Sequence, residues 1–264
     1  MPSPSKRICV FGDSHFACVK YAFDAGLVNT RGFEVEFWGN IGRRFRYLTW
    51  RNDQIETVDQ FSAKRFAKTN VHGRQVLNAR DFDAILFMGC RIGLFRLFPE
   101  LLYRRRRPEN FVSSGVERRL VRDTLRSSPP YEFAVNMAAQ QAAKILIFPT
   151  PLNTDGFEET IPETFAAARE ADAEDRRAVW DRIGAEMQAD GITLIPQPDH
   201  TVVNGCCTDT RYAVRDYVAR EDPTHKNPEF GALIFEEALT VLRGAEQSRP
   251  DAPSQRVEPV EDNV

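Results

Sequence analysis

Five short apolar runs, each followed by a glycine or a proline, constrain the fold of this chain most strongly. They are rich in β-branched and aromatic side chains, and helical patterns separate them. Such runs predict buried strands, and the alternation predicts parallel strands joined by crossover helices. The predicted strands are residues 6–11, 33–38, 84–88, 144–148 and 192–195. The pattern therefore indicates an α/β fold whose parallel sheet is covered on both faces.

Amphipathic stretches predict the helices between these strands. The first begins at His15, places Phe16, Val19 and Phe23 on one face, and ends at Gly26. Residues 43–80 leave a hairpin and a helix both open. The other predicted helices cover residues 162–190 and 232–243.

The chain ends in a segment that cannot contribute to a core. From residue 244 onward it is rich in Pro, Ser, Asp and Glu and holds few large apolar side chains. Such a composition is typical of disorder. We therefore predict one domain over residues 1–243 and a disordered tail over residues 244–264.

Composition excludes several classes of protein. The 264 residues are 42% hydrophobic and 28% charged, which suits a folded domain rather than a disordered chain. The formal net charge of −3 gives no reason to expect nucleic acid or a membrane surface as a partner. No apolar run approaches the roughly 18 residues that a bilayer span needs. The oligomeric state stays open.

Cysteine usage and the N-terminus bear on the compartment. Five cysteines, an odd number scattered along a chain of this length, do not form a disulfide framework. No signal peptide precedes the first strand. We therefore expect a cytoplasmic protein with reduced thiols.

Parallel sheets bind ligands at the carboxyl ends of their strands. A serine, Ser14, follows the first strand there, in the sequence Gly-Asp-Ser-His from Gly12 to His15. At the start of a helix, free backbone N–H groups favour a nucleophile whose attack creates an oxyanion. The alternative is that Asp13 or Ser14 only caps the helix.

Near the other end of the chain, Asp222 precedes His225 by three residues, just before the last predicted helix. This spacing lets a carboxylate orient the imidazole through Nδ1 while Nε2 takes a proton from a hydroxyl. Taken alone the pair is weak evidence, because a capping aspartate beside a surface histidine is common. His200, which follows the fifth strand, is an alternative base.

Together these residues resemble the SGNH (GDSL-type) hydrolase family. The Gly-Asp-Ser block lies near the N-terminus, the Asp222–His225 spacing lies near the C-terminus, and Gly39 follows the second strand. The resemblance implies a three-layer α/β/α sandwich with a five-stranded parallel sheet, flavodoxin-like in strand order. It also implies that Ser14 is the nucleophile, His225 the general base and Asp222 its orienting partner. The backbone N–H groups of Ser14 and Gly39 face the oxyanion in this interpretation.

This chain departs from the family pattern in one sequence block. Where the family usually has Gly-x-Asn-Asp, this chain has Gly89-Cys90-Arg91-Ile92. Arg91 therefore stands at the position where the family's asparagine supplies an oxyanion donor. Removing one such donor typically costs about 10²–10³ in rate. Arg91 either donates from its guanidinium or binds an anionic group of the substrate; otherwise the site is slow or inactive. Cys90 and Asn40, which lie beside these positions, are candidate substrate contacts.

Other signals predict no cofactor and no metal. Neither a dinucleotide fingerprint nor a P-loop occurs, and no Cys or His spacing is typical of zinc. We expect His15 to line the pocket or face the helix surface. Residues 91–126 hold ten arginines against four acidic residues, which indicates either a basic patch for an acidic partner or a solvated helix end.

We therefore expect a serine esterase that acts through an acyl-enzyme on a small-molecule or glycan ester, with an O-acyl group of a carbohydrate as the implied substrate. One alternative is an O-acyltransferase, which uses the same acyl-enzyme. The other is a non-catalytic module of the same fold that binds a glycan or a partner, and Arg91 keeps that alternative open.

Overall fold

The computed structural model describes residues 5–40, 42–107, 109, 112–157, 161 and 163–247. Five parallel strands form its central sheet. They are β1 (Lys6–Gly12), β2 (Phe33–Gly39), β3 (Ala84–Gly89), β4 (Lys144–Pro149) and β5 (Thr193–Leu194). Their order is β2-β1-β3-β4-β5, with every neighbouring pair parallel. This is the flavodoxin-like order, so the predicted sheet is confirmed.

Helices cover both faces of the sheet. They are α1 (Phe16–Asp24), α2 (Gln60–Thr69), α3 (Leu97–Arg106), α4 (Ser114–Arg126), α5 (Pro129–Ala139), α6 (Ala173–Ala189) and α7 (Pro228–Gln247). Because successive strand residues point to opposite faces, Val10 packs in the core beneath α1 and α7, whereas Phe11 packs in the core beneath the other helices. The three-layer α/β/α sandwich is confirmed.

The stretch that the sequence left open contains both a hairpin and a helix. A 3₁₀ segment, Gly42–Tyr47, follows β2, and the short strands Leu48–Arg51 and Gln54–Thr57 then pair antiparallel. Helix α2 begins next, because the Asp59 carboxylate accepts the Ser62 N–H at 2.9 Å. A third short strand, Leu77–Asn78, completes this small sheet.

The predicted helix over residues 162–190 is wrong at its start. A 3₁₀ segment, Glu163–Glu170, comes first, and α6 begins only at Ala173. The physical reason is a capping box: Asp172 accepts the backbone N–H groups of the first turn, and the Asp175 carboxylate accepts the Asp172 N–H. Residue 162 lies outside the described residues.

Helix α7 extends beyond its predicted bounds of 232–243 at both ends. Its last turn enters the stretch that we predicted as a tail, and residues 248–264 lie outside the described residues. The division at residue 243 stays a prediction. Among the helices that the structure describes, none is both long and apolar enough to cross a bilayer.

Candidate active site

Ser14 lies in the turn between β1 and α1, at the point where the strand order reverses between β1 and β3. The backbone approaches β3 closely here, since a Cβ on Gly12 would lie 2.5 Å from the Met88 carbonyl oxygen. The predicted alternative was that Asp13 or Ser14 only caps α1. The Asp13 carboxylate accepts the His15 N–H at 3.1 Å, but the Ser14 side chain makes no capping bond to the helix, and its hydroxyl faces another element.

That element is the turn before α7. The carboxylate of Asp222 shapes this turn by accepting the backbone N–H groups of Thr224 at 3.3 Å and His225 at 3.1 Å. It also holds the His225 ring, with Nδ1 at 2.8 Å from one carboxylate oxygen and 2.9 Å from the other. One carboxylate thus fixes both the backbone and the imidazole.

The His225 Nε2 lies 2.8 Å from the Ser14 Oγ, although the two residues are 211 positions apart in sequence. Burial raises the pKa of Asp222, but hydrogen bonds from the ring and backbone of His225 and from Thr224 outweigh it, so the pKa is lowered. An ionised carboxylate can only accept, which places the ring proton on Nδ1. Nε2 then offers its lone pair to the serine hydroxyl.

A buried lysine supports this turn. The Lys226 ammonium donates to the Thr154 Oγ1 at 2.9 Å and to the Pro223 carbonyl at 2.8 Å. The residue is 5% exposed, and burial lowers the pKa of its side chain to about 7. Lys226 is not among the residues predicted for the site, and its position directly after His225 was the one signal in the sequence.

A second aspartate–histidine pair lies beside the first. The His15 Nδ1 is 2.7 Å from the Asp13 carboxylate, and its ring stacks on the His225 ring with centroids 4.9 Å apart and planes 10° apart. Burial raises the pKa of Asp13, but the hydrogen bonds and charge of His15 and the charge of Arg91 outweigh it, so the pKa is lowered. The His15 Nε2 is buried and has no partner among the described residues.

The two predicted backbone donors of the oxyanion hole differ in whether their N–H group already has a hydrogen-bond partner. The Ser14 N–H makes no hydrogen bond to any residue that the structure describes. The Gly39 N–H donates to the Thr69 Oγ1 at 3.0 Å, so the prediction that it faces the oxyanion does not fit this geometry. Thr69 ends helix α2, which the sequence did not predict.

Arg91 connects the loops that follow β3 and β2. Its backbone N–H donates to the Asp13 carboxylate at 3.2 Å, and its Nη2 donates to the Gly42 carbonyl at 2.8 Å. Its φ of +57° continues a left-handed run from Gly89 (+72°) and Cys90 (+52°), a conformation that costs energy at non-glycine residues and persists where contacts hold it.

Two predicted substrate contacts are buried. Cys90 is 0% exposed, its thiol faces the Phe11 carbonyl at 3.4 Å, and burial raises its pKa well above the ordinary value. Asn40 is 1% exposed, and its side-chain amide donates to the Ser62 carbonyl at 3.3 Å. Neither side chain is placed to touch a substrate, contrary to prediction, because the chain at both positions turns inward onto the core.

The alternative base and a metal site find no support in the geometry. His200 is exposed on the 3₁₀ turn Asp199–Thr201, and its ring has no hydrogen bond within the described part of the chain. Within the same ranges no group of three or more His, Cys, Asp or Glu side chains is arranged to hold a metal ion. All five cysteines are buried free thiols.

No family model matches the sequence, and a search of curated proteins finds no match. Among solved structures, the chain is similar to the C-terminal catalytic domain of peptidoglycan O-acetyltransferase A (OatA) from Streptococcus pneumoniae, determined with a methylsulfonyl adduct. The two share 11% identity and a TM-score of 0.36 over 93% of this chain and 97% of that one. So low a similarity carries no argument about activity.

Proposed function

We propose that this protein is an SGNH-type serine enzyme that hydrolyses an ester through a covalent acyl-enzyme. The observation that carries the proposal is the 2.8 Å contact between the Ser14 Oγ and the His225 Nε2, with Asp222 on the opposite ring nitrogen. Nucleophile, base and orienting carboxylate in this order form the arrangement that activates serine hydroxyls on several unrelated folds.

In the first step the Ser14 Oγ attacks the ester carbonyl carbon while its proton passes to the His225 Nε2. Within the described residues the Ser14 backbone N–H has no hydrogen-bond partner, so it is free to hold the oxyanion that forms. The negative charge of Asp222 stabilises the imidazolium. His225 then returns the proton to the leaving alkoxide, which leaves as an alcohol.

In the second step a water molecule gives its proton to His225 and attacks the acyl-enzyme carbonyl carbon. The bond from that carbon to the Ser14 Oγ then breaks, a carboxylic acid leaves, and His225 returns the proton to the Ser14 Oγ. A sugar hydroxyl in place of water makes the same site an O-acyltransferase. The two reactions share the acyl-enzyme and differ only in the acceptor. Both can therefore be assayed by following the transfer of the acyl group from the same acyl-enzyme. O-acyl esters of carbohydrates are the substrate class that the SGNH resemblance implies.

The proposal is tested by labelling with a fluorophosphonate probe, which reacts with activated serines. We expect the wild type to be labelled, Ser14→Ala to lose labelling, and its kcat on a short acyl ester to fall about 10⁴- to 10⁶-fold. Ser127→Ala, at an exposed serine of the α4–α5 connection, is the matched control and should label like the wild type. Undiminished labelling of Ser14→Ala overturns the assignment. A folded wild type with neither labelling nor activity favours the binding module.

A further inference from the structure

The arginine-rich stretch that the sequence singled out is neutralised by ion pairs. Eight of its arginines, from the end of α3 through α4, each lie within 4.0 Å of a carboxylate. Helix α6 supplies two of the partners, Asp175 and Glu186, and each pairs with two arginines; Glu186 is 5% exposed. The eight are Arg104, Arg105, Arg106, Arg107, Arg118, Arg119, Arg122 and Arg126.

Arginines on the loops that follow β2 and β3 are not neutralised in this way. Arg46, Arg91 and Arg96 are exposed, and the described ranges place no carboxylate within 4.0 Å of their guanidinium groups. Arg44, on the same loop as Arg46, is paired with Asp59 at 4.0 Å. These arginines lie on the loops after β2 and β3, the two strands that flank β1.

The side chain of Arg91 crosses the carboxyl end of β1. Strands β2 and β3 both pair with β1, so they lie about 10 Å apart at a spacing of about 4.8 Å per strand. Arg91 begins on the β3 loop, and its guanidinium reaches the Gly42 carbonyl on the β2 loop. The intervening space is the end of β1, where the turn to Ser14 starts.

Two features hold the backbone of Arg91 in the position from which its side chain crosses the end of β1. Its N–H is fixed on the buried Asp13 carboxylate, and its left-handed φ of +57° is a strained state that only such contacts maintain. The Asp13 carboxylate accepts from the backbone N–H groups of His15 and Arg91 and contacts the His15 ring, and it lies more than 4.0 Å from the Arg91 guanidinium nitrogens. A guanidinium that keeps free N–H groups binds planar oxyanions through paired hydrogen bonds.

We propose that the ester substrate carries an oxyanion group, a carboxylate, sulfate or phosphate, which binds Arg91 while Arg46 and Arg96 add longer-range attraction. The inference rests on the proposed function and names the substrate class of that same site. It assigns to Arg91 the anchoring role, and it explains why this loop departs from the family's asparagine.

The test compares two esters that differ by one charge. Mono-4-nitrophenyl glutarate presents a carboxylate, and its methyl ester is the neutral match. We expect the wild type to prefer the anionic ester in kcat/KM, and Arg91→Gln to reduce that preference about 10- to 100-fold, mainly through KM. Arg119→Gln removes an exposed arginine of α4 and is the matched control with unchanged preference. Added salt should weaken the preference.

Two results overturn the inference: a wild type without preference, or an Arg91→Gln variant that loses kcat equally on both esters. The latter result assigns Arg91 to the oxyanion. Competition by glutarate, inorganic sulfate or inorganic phosphate identifies which oxyanion binds best. If neither ester is hydrolysed and Ser14 is not labelled, the proposed function fails. Calorimetry then compares the affinity of the wild type for glutarate with its affinity for dimethyl glutarate. Equal affinities reject the inference.

Discussion

Two aspartate–histidine pairs of the same chemistry lie face to face in this protein, and they differ in what the far ring nitrogen meets. In both pairs Nδ1 contacts a carboxylate, at 2.7 Å for His15 and at 2.8 Å for His225. The His225 Nε2 reaches the Ser14 hydroxyl, whereas the His15 Nε2 is buried without a partner in the described part of the chain. An Asp–His pair therefore acquires the geometry of a general base only through its third contact.

Exposure separates the pairs as well. The His225 side chain is 37% exposed and the His15 side chain 11%. A base must meet a substrate from solvent, so the open pair is suited to catalysis. The closed pair holds a buried negative charge, Asp13, at the start of α1 and gives the His225 ring a flat surface to pack on.

The largest expected effect is the difference in kcat between substitutions of the two histidines. His225→Ala should lower kcat about 10⁴- to 10⁶-fold, because the described residues place no other base in hydrogen-bond contact with the Ser14 hydroxyl. His15→Ala touches no reacting atom and should cost far less activity. It should instead lower the free energy of unfolding by about 1–3 kcal/mol, because the buried Asp13 carboxylate loses a partner. Ester hydrolysis and urea unfolding of both variants measure this, and a reversed order of the kcat losses contradicts it.

The two carboxylates give the next largest effect. Asp222→Asn should lower kcat about 10⁴-fold, because an amide can donate to Nδ1 and so favours the wrong tautomer of His225. Asp13→Asn should retain more activity, since it orients only the closed pair. Equal losses of kcat in the two variants contradict the distinction between an open and a closed pair.

The same variants also test the pH dependence of stability. Both carboxyl groups have a folded pKa below the ordinary value of 3.8, so the unfolded chain binds their protons first as the pH falls. Their contribution is present above that value and is lost as the pH falls through the folded pKa. Urea unfolding between pH 5 and 3 should show a shallower decline for each variant than for the wild type. If the free energy of unfolding of a variant instead declines in parallel with that of the wild type, folding does not stabilise the ionised form of that carboxyl group.

The sequence was sufficient for the sheet because its strands are local, nearly continuous apolar runs. Strand ends also placed Ser14 at the sheet edge, but the resemblance to the SGNH family, rather than a local pattern, joined Asp222 and His225 to it; the structure brings the three side chains into contact. The sequence was insufficient where an element far away along the chain accepts the hydrogen bond of a predicted oxyanion donor. The Gly39 N–H bonds Thr69, thirty residues away in a stretch without a predicted helix, and this contact removed a predicted oxyanion donor.

Burial was the other source of error. Cys90 and Asn40 follow strands at the right edge, but strand position does not say on which side of the backbone a side chain lies. His15 had a signal, its place directly after Ser14, yet the stacking on His225 depends on a turn more than two hundred residues away. Contacts of this range are set by tertiary packing, which a local pattern does not report.

The smallest expected effect concerns the lysine beneath the open pair. The folded pKa of Lys226 is about 7 and the ordinary value is 10.5, so between these values the unfolded chain holds a proton that the folded chain lacks. Stability from this group therefore rises with pH above 7, by at most about 1.4 kcal/mol per pH unit. Lys226→Met removes the titrating group and should flatten this rise between pH 7 and 8.5.

Urea unfolding at several pH values measures the difference between the two proteins. Other groups that titrate there are common to both, so only Lys226 contributes to the difference. Lys68→Met, at an exposed position of α2, is the matched control and should follow the wild type. The variant should also lose part of its kcat, because the Pro223 carbonyl loses its ammonium donor and the turn that carries His225 loosens. Parallel pH curves for the wild type and Lys226→Met mean that the buried ammonium stays charged, and the open pair then rests on a permanent positive charge that the closed pair lacks.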